Sequence, residues 1–118
     1  MKKQLLICDD QVNVRESYKL IFENDYELVF AVTGGDVLLY LTENNPDLII
    51  LDIKMPKMDG ITVLKEIRKI KPNLPVLIVT GYDSVETATT AFNAGATDYI
   101  VKPFEPKEIS KAISRLLL

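Results

Sequence analysis

The chain contains no histidine, and that absence removes whole classes of mechanism. A Ser-His-Asp triad, a Cys-His pair and a zinc site built on imidazole are excluded, and the chain cannot carry a phosphoryl group on a histidine of its own. With one cysteine, Cys8, it can form no internal disulfide, which predicts a reducing, cytosolic setting. Cys8 lies in the apolar run Leu5-Leu6-Ile7-Cys8 and reads as a small buried hydrophobe. No apolar run approaches the roughly 20 residues of a membrane span, so membrane insertion is not expected. Met1-Lys2-Lys3 is followed by too few apolar residues before Asp9 and Asp10 to read as a secretory leader. A dense basic cluster is missing too: 14 Lys and Arg stand against 17 Asp and Glu, a formal charge of −3. Lys65, Arg68, Lys69 and Lys71 share one predicted helix with Glu66 and read as a solvated face, so direct nucleic-acid binding is not expected. Neither G-x-x-x-x-G-K-[ST] nor G-x-G-x-x-G, the glycine-rich phosphate loops, occurs.

What is present is an ordinary globular composition, 47% hydrophobic and 26% charged over 118 residues, which fits one domain spanning 1–118. Apolar runs alternate with helical periodicity. Strands are predicted at Gln4 to Asp9, Tyr26 to Val32, Asp47 to Asp52, Pro75 to Thr80 and Thr97 to Val101. The helix after the first strand places Val14, Tyr18, Ile21 and Phe22 on one side. Gly34-Gly35 reads as a break, followed by a short helix that buries Val37, Leu38 and Leu41 and stops at Asn44-Asn45-Pro46. A loop from Ile53 to Met58 leads to a third helix from about Gly60, with Ile61, Leu64 and Ile67 or Arg68 inward. Asp59 reads as its cap, and Gly60 as a residue that lets the chain turn tightly. The fourth helix, Ser84 to Asn93, carries Val85, Ala88, Thr89 and Phe92. Gly95 punctuates, and the last helix, from Pro106, carries Ile109, Ala112, Ile113 and Leu116. Five βα units with short connections require right-handed crossovers. The expected fold is therefore α/β, a doubly wound five-stranded parallel sheet of order 2-1-3-4-5, flavodoxin-like (βα)5.

Four of the five strands end in residues capable of chemistry: Asp9 and Asp10, Asp52, Thr80, and Lys102. Taken alone, Asp10 reads equally as a helix cap, Asp52 and Thr80 as turn residues and Lys102 as a surface lysine. Taken together, they meet at the carboxyl edge of the sheet, where the strand order reverses between the first and third strands. Three carboxylates crowded there repel one another unless a cation joins them. Oxygen ligands without imidazole or thiolate favour a hard ion: Mg²⁺, with Mn²⁺ or Ca²⁺ as alternatives. A lysine and a hydroxyl beside such an ion suit a phosphoryl group.

The acid pair Asp9-Asp10, the run Asp52-Ile53-Lys54-Met55-Pro56-Lys57-Met58-Asp59-Gly60, then Thr80-Gly81 and Lys102-Pro103-Phe104, resemble the receiver domain of two-component response regulators over essentially the whole chain. The resemblance implies that Asp52 accepts the phosphoryl group. It further implies that Asp10 and Asp52 ligate Mg²⁺ directly, that Asp9 holds it largely through water, and that the Lys54 backbone carbonyl completes the protein ligands. Lys102 is expected to pair with Asp52 and then with its phosphoryl oxygens, across a cis Lys102-Pro103 bond. Thr80 and Tyr99 correspond to the switch pair, and the side chains of Lys54 and Tyr82 to positions that tune hydrolysis of the acyl phosphate. The implied partner is a sensor histidine kinase or a histidine phosphotransfer protein. The implied output face is the fourth helix, fifth strand and fifth helix, with a homodimer as one use of it. The chemistry would be limited to the domain's own phosphorylation and slow autodephosphorylation, in a single-domain regulator or the receiver of a longer protein. Two other readings are a receiver-like scaffold that signals without phosphorylation and a small Mg²⁺-dependent phosphatase. The latter lacks a D-x-D arrangement and a histidine.

Overall fold

The computed structural model describes residues 2–55 and 58–118. Pro56 and Lys57 of the run after Asp52 lie outside the described residues, and so does Met1. Five parallel strands, β1 Gln4–Cys8, β2 Glu27–Ala31, β3 Leu48–Leu51, β4 Val76–Thr80 and β5 Asp98–Val101, form a sheet of order β2-β1-β3-β4-β5. Five helices connect or follow them: α1 Val12–Phe22, α2 Gly34–Glu43, α3 Gly60–Ile70, α4 Val85–Asn93 and α5 Pro106–Leu116. Sheet order and fold class match the sequence expectation.

The continuous apolar strands follow from the pleat. Successive side chains of a strand point to opposite faces, and helices cover both faces here. Leu6, Cys8, Ile49, Leu51, Val76 and Ile78 pack on one side with Val37 and Leu41 of α2 and Val63, Leu64 and Ile67 of α3. Leu5, Ile7, Leu48, Ile50, Leu77 and Val79 pack on the other with Tyr18 and Phe22 of α1 and Ile109 and Ile113 of α5. Tyr18 stacks on Phe104 with ring centroids 5.5 Å apart, tying α1 to the segment that carries the cis Lys102-Pro103 bond.

Several sequence expectations need correction. Gly34 and Gly35 do not break the chain. They form the first turn of α2, because Thr33 Oγ1 accepts the Asp36 amide at 3.1 Å and caps the helix one residue earlier. Val63 joins Leu64 and Ile67 on the fully buried side of α3, while Ile61 packs against the same core only partly buried. On α4 the inward residue is Ala91, whereas Val85 (81% exposed) and Phe92 (46% exposed) face outward. Arg68 is not part of a solvated face. Its Nε donates to the Gly95 carbonyl (2.8 Å) and its Nη1 to the carbonyls of Lys71 (3.0 Å) and Leu74 (2.6 Å). The side chain thus serves as donor to carbonyls that follow α3 and α4, where helix ends leave acceptors unpaired. The stretch read as a loop from Ile53 to Met58 contains a two-residue antiparallel pairing of Lys54–Met55 with Met58–Asp59.

Gly60 is required by a close approach rather than by an unusual dihedral. A Cβ there would lie 2.4 Å from Ile53 Cα and 2.6 Å from Ile53 Cβ. The start of α3 is therefore pressed against the segment that follows Asp52. Asp59 caps the same helix end, its Oδ1 accepting from the Ile61 amide (3.0 Å) and its Oδ2 from the Thr62 hydroxyl (2.9 Å). The Thr62 hydrogen bond, foremost, lowers the Asp59 pKa. Because the clash is with main chain, Gly60→Ala is expected to destabilise the fold by about 3 kcal/mol. Urea unfolding checks this, and a loss below about 1 kcal/mol would contradict the contact.

Candidate metal and phosphoryl site

The sheet ladder itself delivers the site residues. Beyond β1, the Asp9 amide donates to the Ala31 carbonyl (3.2 Å); beyond β3, the Asp52 amide donates to the Cys8 carbonyl (3.1 Å). Beyond β5, the Lys102 amide donates to the Thr80 carbonyl (2.8 Å). Continued pairing fixes the backbone of each residue just where its side chain clears the core.

Asp9 and Asp52 are held alike. One oxygen of each closes a turn on the amide two residues ahead: Asp9 Oδ1 accepts from Gln11 (3.0 Å), and Asp52 Oδ1 from Lys54 (2.8 Å). The other oxygen of each accepts from the Lys102 ammonium, at 2.7 Å for Asp9 and 2.8 Å for Asp52. Asp9 is 1% exposed and Asp52 4%, so both carboxylates depend on these partners. Burial alone would depress the Lys102 pKa, but the hydrogen bonds and charges of Asp52 and Asp9 outweigh it and hold the ammonium above its usual range. Lys102 thus stays protonated at neutral pH.

One oxygen each of Asp9, Asp10 and Asp52 lies within 4.8 Å of the others. Three carboxylates against one ammonium leave two negative charges in a largely buried spot, which a divalent cation neutralises. All donors are oxygens, which is the preference of Mg²⁺. The residues therefore fit the Mg²⁺ that the sequence implies. Asp10, Gln11, Asp52, Lys54, Gly81 and Lys102 line a pocket of about 300 Å³ that opens the site to solvent. The ammonium of Lys54, one of these lining residues, sits 5.2 Å from the centroid of the Tyr82 ring.

Thr80 is fully buried, and its hydroxyl is the one buried side-chain polar atom without a hydrogen-bond partner among the described residues. Tyr99, paired with Ile78 in the ladder, is half-buried; its hydroxyl donates to the Tyr82 carbonyl at 2.8 Å, and its ring lies 6.4 Å from that of Phe92. Cys8 is a buried hydrophobe as expected. Its thiol is pushed up to about 12, first by burial and then by the nearby Asp9 and Asp52 charges, and its Sγ lies 4.0 Å from Met55 Sδ.

The structure brings Asp9, Asp10, Asp52 and Lys102 together, with Thr80 joined to Lys102 through the main chain. The Lys102–Asp9 ion pair was not foreseen, because the sequence offers no way to choose which of three acids a lysine 93 positions on from Asp9 will meet. The turns closed by Asp9 and Asp52 were legible in principle, since aspartate commonly bonds the amide two residues ahead.

Residues 5–114 match the model of the response regulator receiver domain. The chain is 39% identical over 115 residues to the regulatory protein AtoC of Escherichia coli, covering 97% of this chain and 25% of that protein. It is 36% identical over 118 residues to the response regulator MprA of a Mycobacterium species, covering 99% of this chain and 51% of that one. The chain thus spans about a quarter to a half of the length of these relatives. Among solved structures, a CheY-like response regulator receiver domain protein from Methanospirillum hungatei superposes with a TM-score of 0.93 at 36% identity, covering 99% of this chain and 94% of that one. Fold, acid cluster and sequence matches agree: the chain belongs to the response regulator receiver domain family.

Proposed function

We propose that the chain is a phosphorylation-controlled signalling module that takes a phosphoryl group from a phosphohistidine onto Asp52 in a Mg²⁺-dependent reaction. The carrying observation is the Lys102 ammonium held between Asp52 and Asp9, with the Asp10 carboxylate free of protein partners among the described residues, beside an open pocket. An Asp52 oxygen forms a bond to phosphorus as the donor's P–N bond breaks. The electron pair leaves on the imidazole nitrogen, which takes up a proton from solvent. Asp9, Asp10, Asp52 and the Lys54 carbonyl would hold Mg²⁺, which when bound neutralises charge on the phosphoryl oxygens. Lys102 shares that role from the other side, released from its grip on Asp52 to the new phosphoryl oxygens.

The donor is a sensor histidine kinase or a histidine phosphotransfer protein. Supporting a protein donor, an apolar groove of about 430 Å³ runs from Lys102 and Pro103 along Val14, Ser17 and Ile21 of α1, and it shares Lys102 with the pocket that Asp52 lines. Lys54, which lines the pocket, and Tyr82, whose ring lies beside the Lys54 ammonium, screen the acyl phosphate from water and so tune its hydrolysis. A cytosolic setting fits the family and the single buried thiol, and no described helix is long and apolar enough to cross a membrane. The receiver itself binds no nucleic acid in this reading.

The signal leaves through Thr80 and Tyr99 toward the α4–β5–α5 face. That face has an apolar component, with Val85, Phe92 and Val101 exposed. Arg115 of α5 and Asp98 of β5 are paired with each other on it. Its use is a homodimer or a partner contact favoured in the phosphorylated state.

Intact-mass measurement with acetyl phosphate tests the chemistry. One phosphoryl group is expected with Mg²⁺ and none after chelation; ion-independent labelling would contradict the site. A second variant separates chemistry from switching. Thr80→Val removes a buried, unpartnered hydroxyl at nearly constant shape, so stability should rise by about 1 kcal/mol. The variant should still accept a phosphoryl group, yet its amide chemical shifts around Tyr99 should respond only weakly to it. A full wild-type response there would remove Thr80 from the switch.

A further inference from the structure

We infer that Arg15 is a positioning residue for the metal site, acting through the Asp9 main chain, an inference that rests on the Mg²⁺ reading above. Its Nη1 donates to the Asp9 carbonyl at 2.8 Å, reaching back from the second turn of α1 over six residues. The guanidinium is partly buried there.

The consequence falls on the ligands. Asp9 is fixed at four points: its amide by the Ala31 carbonyl, its own carbonyl by Arg15, one carboxylate oxygen by the Gln11 amide and the other by Lys102. The next residue is Asp10, whose carboxylate lines the pocket and has no protein partner among the described residues. Its direction is therefore set by the peptide that joins it to Asp9, and that peptide's oxygen is the atom Arg15 holds. Without the guanidinium the Asp9–Asp10 peptide loses the bond at its oxygen and is held only through the Asp9 amide and the turn to Gln11, so the Asp10 carboxylate spreads over more orientations that the ion must narrow on binding. Groups that orient a ligand commonly contribute a tenfold or larger share of metal affinity without touching the metal.

The test is direct ion binding, read as Mn²⁺ affinity by electron paramagnetic resonance and as Mg²⁺ affinity by competition. Three variants are compared with wild type: Arg15→Met, Arg15→Lys and, as a control on the site, Asp10→Asn. Arg15→Met should weaken ion binding about tenfold. Arg15→Lys should recover part of that loss, since a single ammonium reaches the carbonyl without the planar fork. Thermal unfolding in chelator separates affinity from mere folding: the tenfold loss should persist at temperatures where each variant is fully folded. If Asp10→Asn loses the ion while Arg15→Met binds within twofold of wild type, Arg15 is only a structural contact and the inference is wrong. If Asp10→Asn itself keeps wild-type affinity, the metal site has been misplaced. If Arg15→Met binds the ion normally but no longer accepts phosphoryl groups from a protein donor, Arg15 contacts that donor and the positioning role is excluded.

Discussion

Replacing Lys102 with methionine is expected to cost about 3 kcal/mol of folding stability in a chelated buffer, and added Mg²⁺ should return much of it. The Lys102 side chain is 16% exposed and those of Asp9 and Asp52 1% and 5%, so the ammonium is the main counter-charge of two buried carboxylates. Removing one partner of a buried pair leaves the other uncompensated, which is more damaging than replacing both. Here two carboxylates are left, with Asp10 within 4.8 Å of both. The open pocket lets water relieve part of the penalty, hence the lower end of the usual range. The same argument gives a second sign. The ammonium competes with a cation for Asp9 and Asp52, so Lys102→Met should bind Mg²⁺ more tightly than wild type and gain more from it on unfolding. Chemical denaturation with chelator and with saturating Mg²⁺ measures both effects. Equal stability of variant and wild type in chelator, or an equal gain from Mg²⁺, would contradict the ion-pair geometry. Phosphorylation of the variant should be slow even with Mg²⁺, because neutralisation from the lysine side is lost.

Much of this geometry was legible because two periodicities do not interfere. Leu48 to Leu51 is apolar at every position, which only a strand covered on both faces requires, and β3 is that strand. Once five such strands alternate with helices, the right-handed crossover rule and the acid-ended strands bring Asp10 beside Asp52. The errors share one cause, since each depends on a contact distant in sequence. Val85 and Phe92 have the spacing of an inward stripe, but the short helix α4 turns Ala91 inward and leaves both exposed. Arg68 is charged and sits among lysines, yet carbonyls at Lys71, Leu74 and Gly95 surround it. Gly95 shows the other side of that contact, with φ +114 and the Arg68 side chain where a Cβ would be. Gly34 and Gly35 read as a break on propensity alone, and the Thr33 cap overrides it. The Lys102–Asp9 pair required knowing that β5 and β1 project onto one edge at the right height, which register alone supplies.

The largest single effect belongs to Asp52. It is the one acid that the Lys102 ammonium, the Lys54 amide and the other two carboxylates all surround, and it ends the central strand. Asp52→Asn keeps nearly the same shape but removes the proposed nucleophile, and labelling should fall to background. Asp10 and Asp9 do not substitute for it: Asp9 does not line the open pocket, and Asp10 has no ammonium against it. The variant should still fold, because a carboxylate is removed from a cluster of like charges. The most direct measurement is to locate the bond. Acetyl phosphate and Mg²⁺ form the acyl phosphate, borohydride reduces it in place to the alcohol, and peptide mapping finds the altered residue. The account predicts homoserine at position 52 alone, absent after chelation and absent from Asp52→Asn. Homoserine at position 9 or 10, or modification that survives the Asp52 substitution, would contradict it.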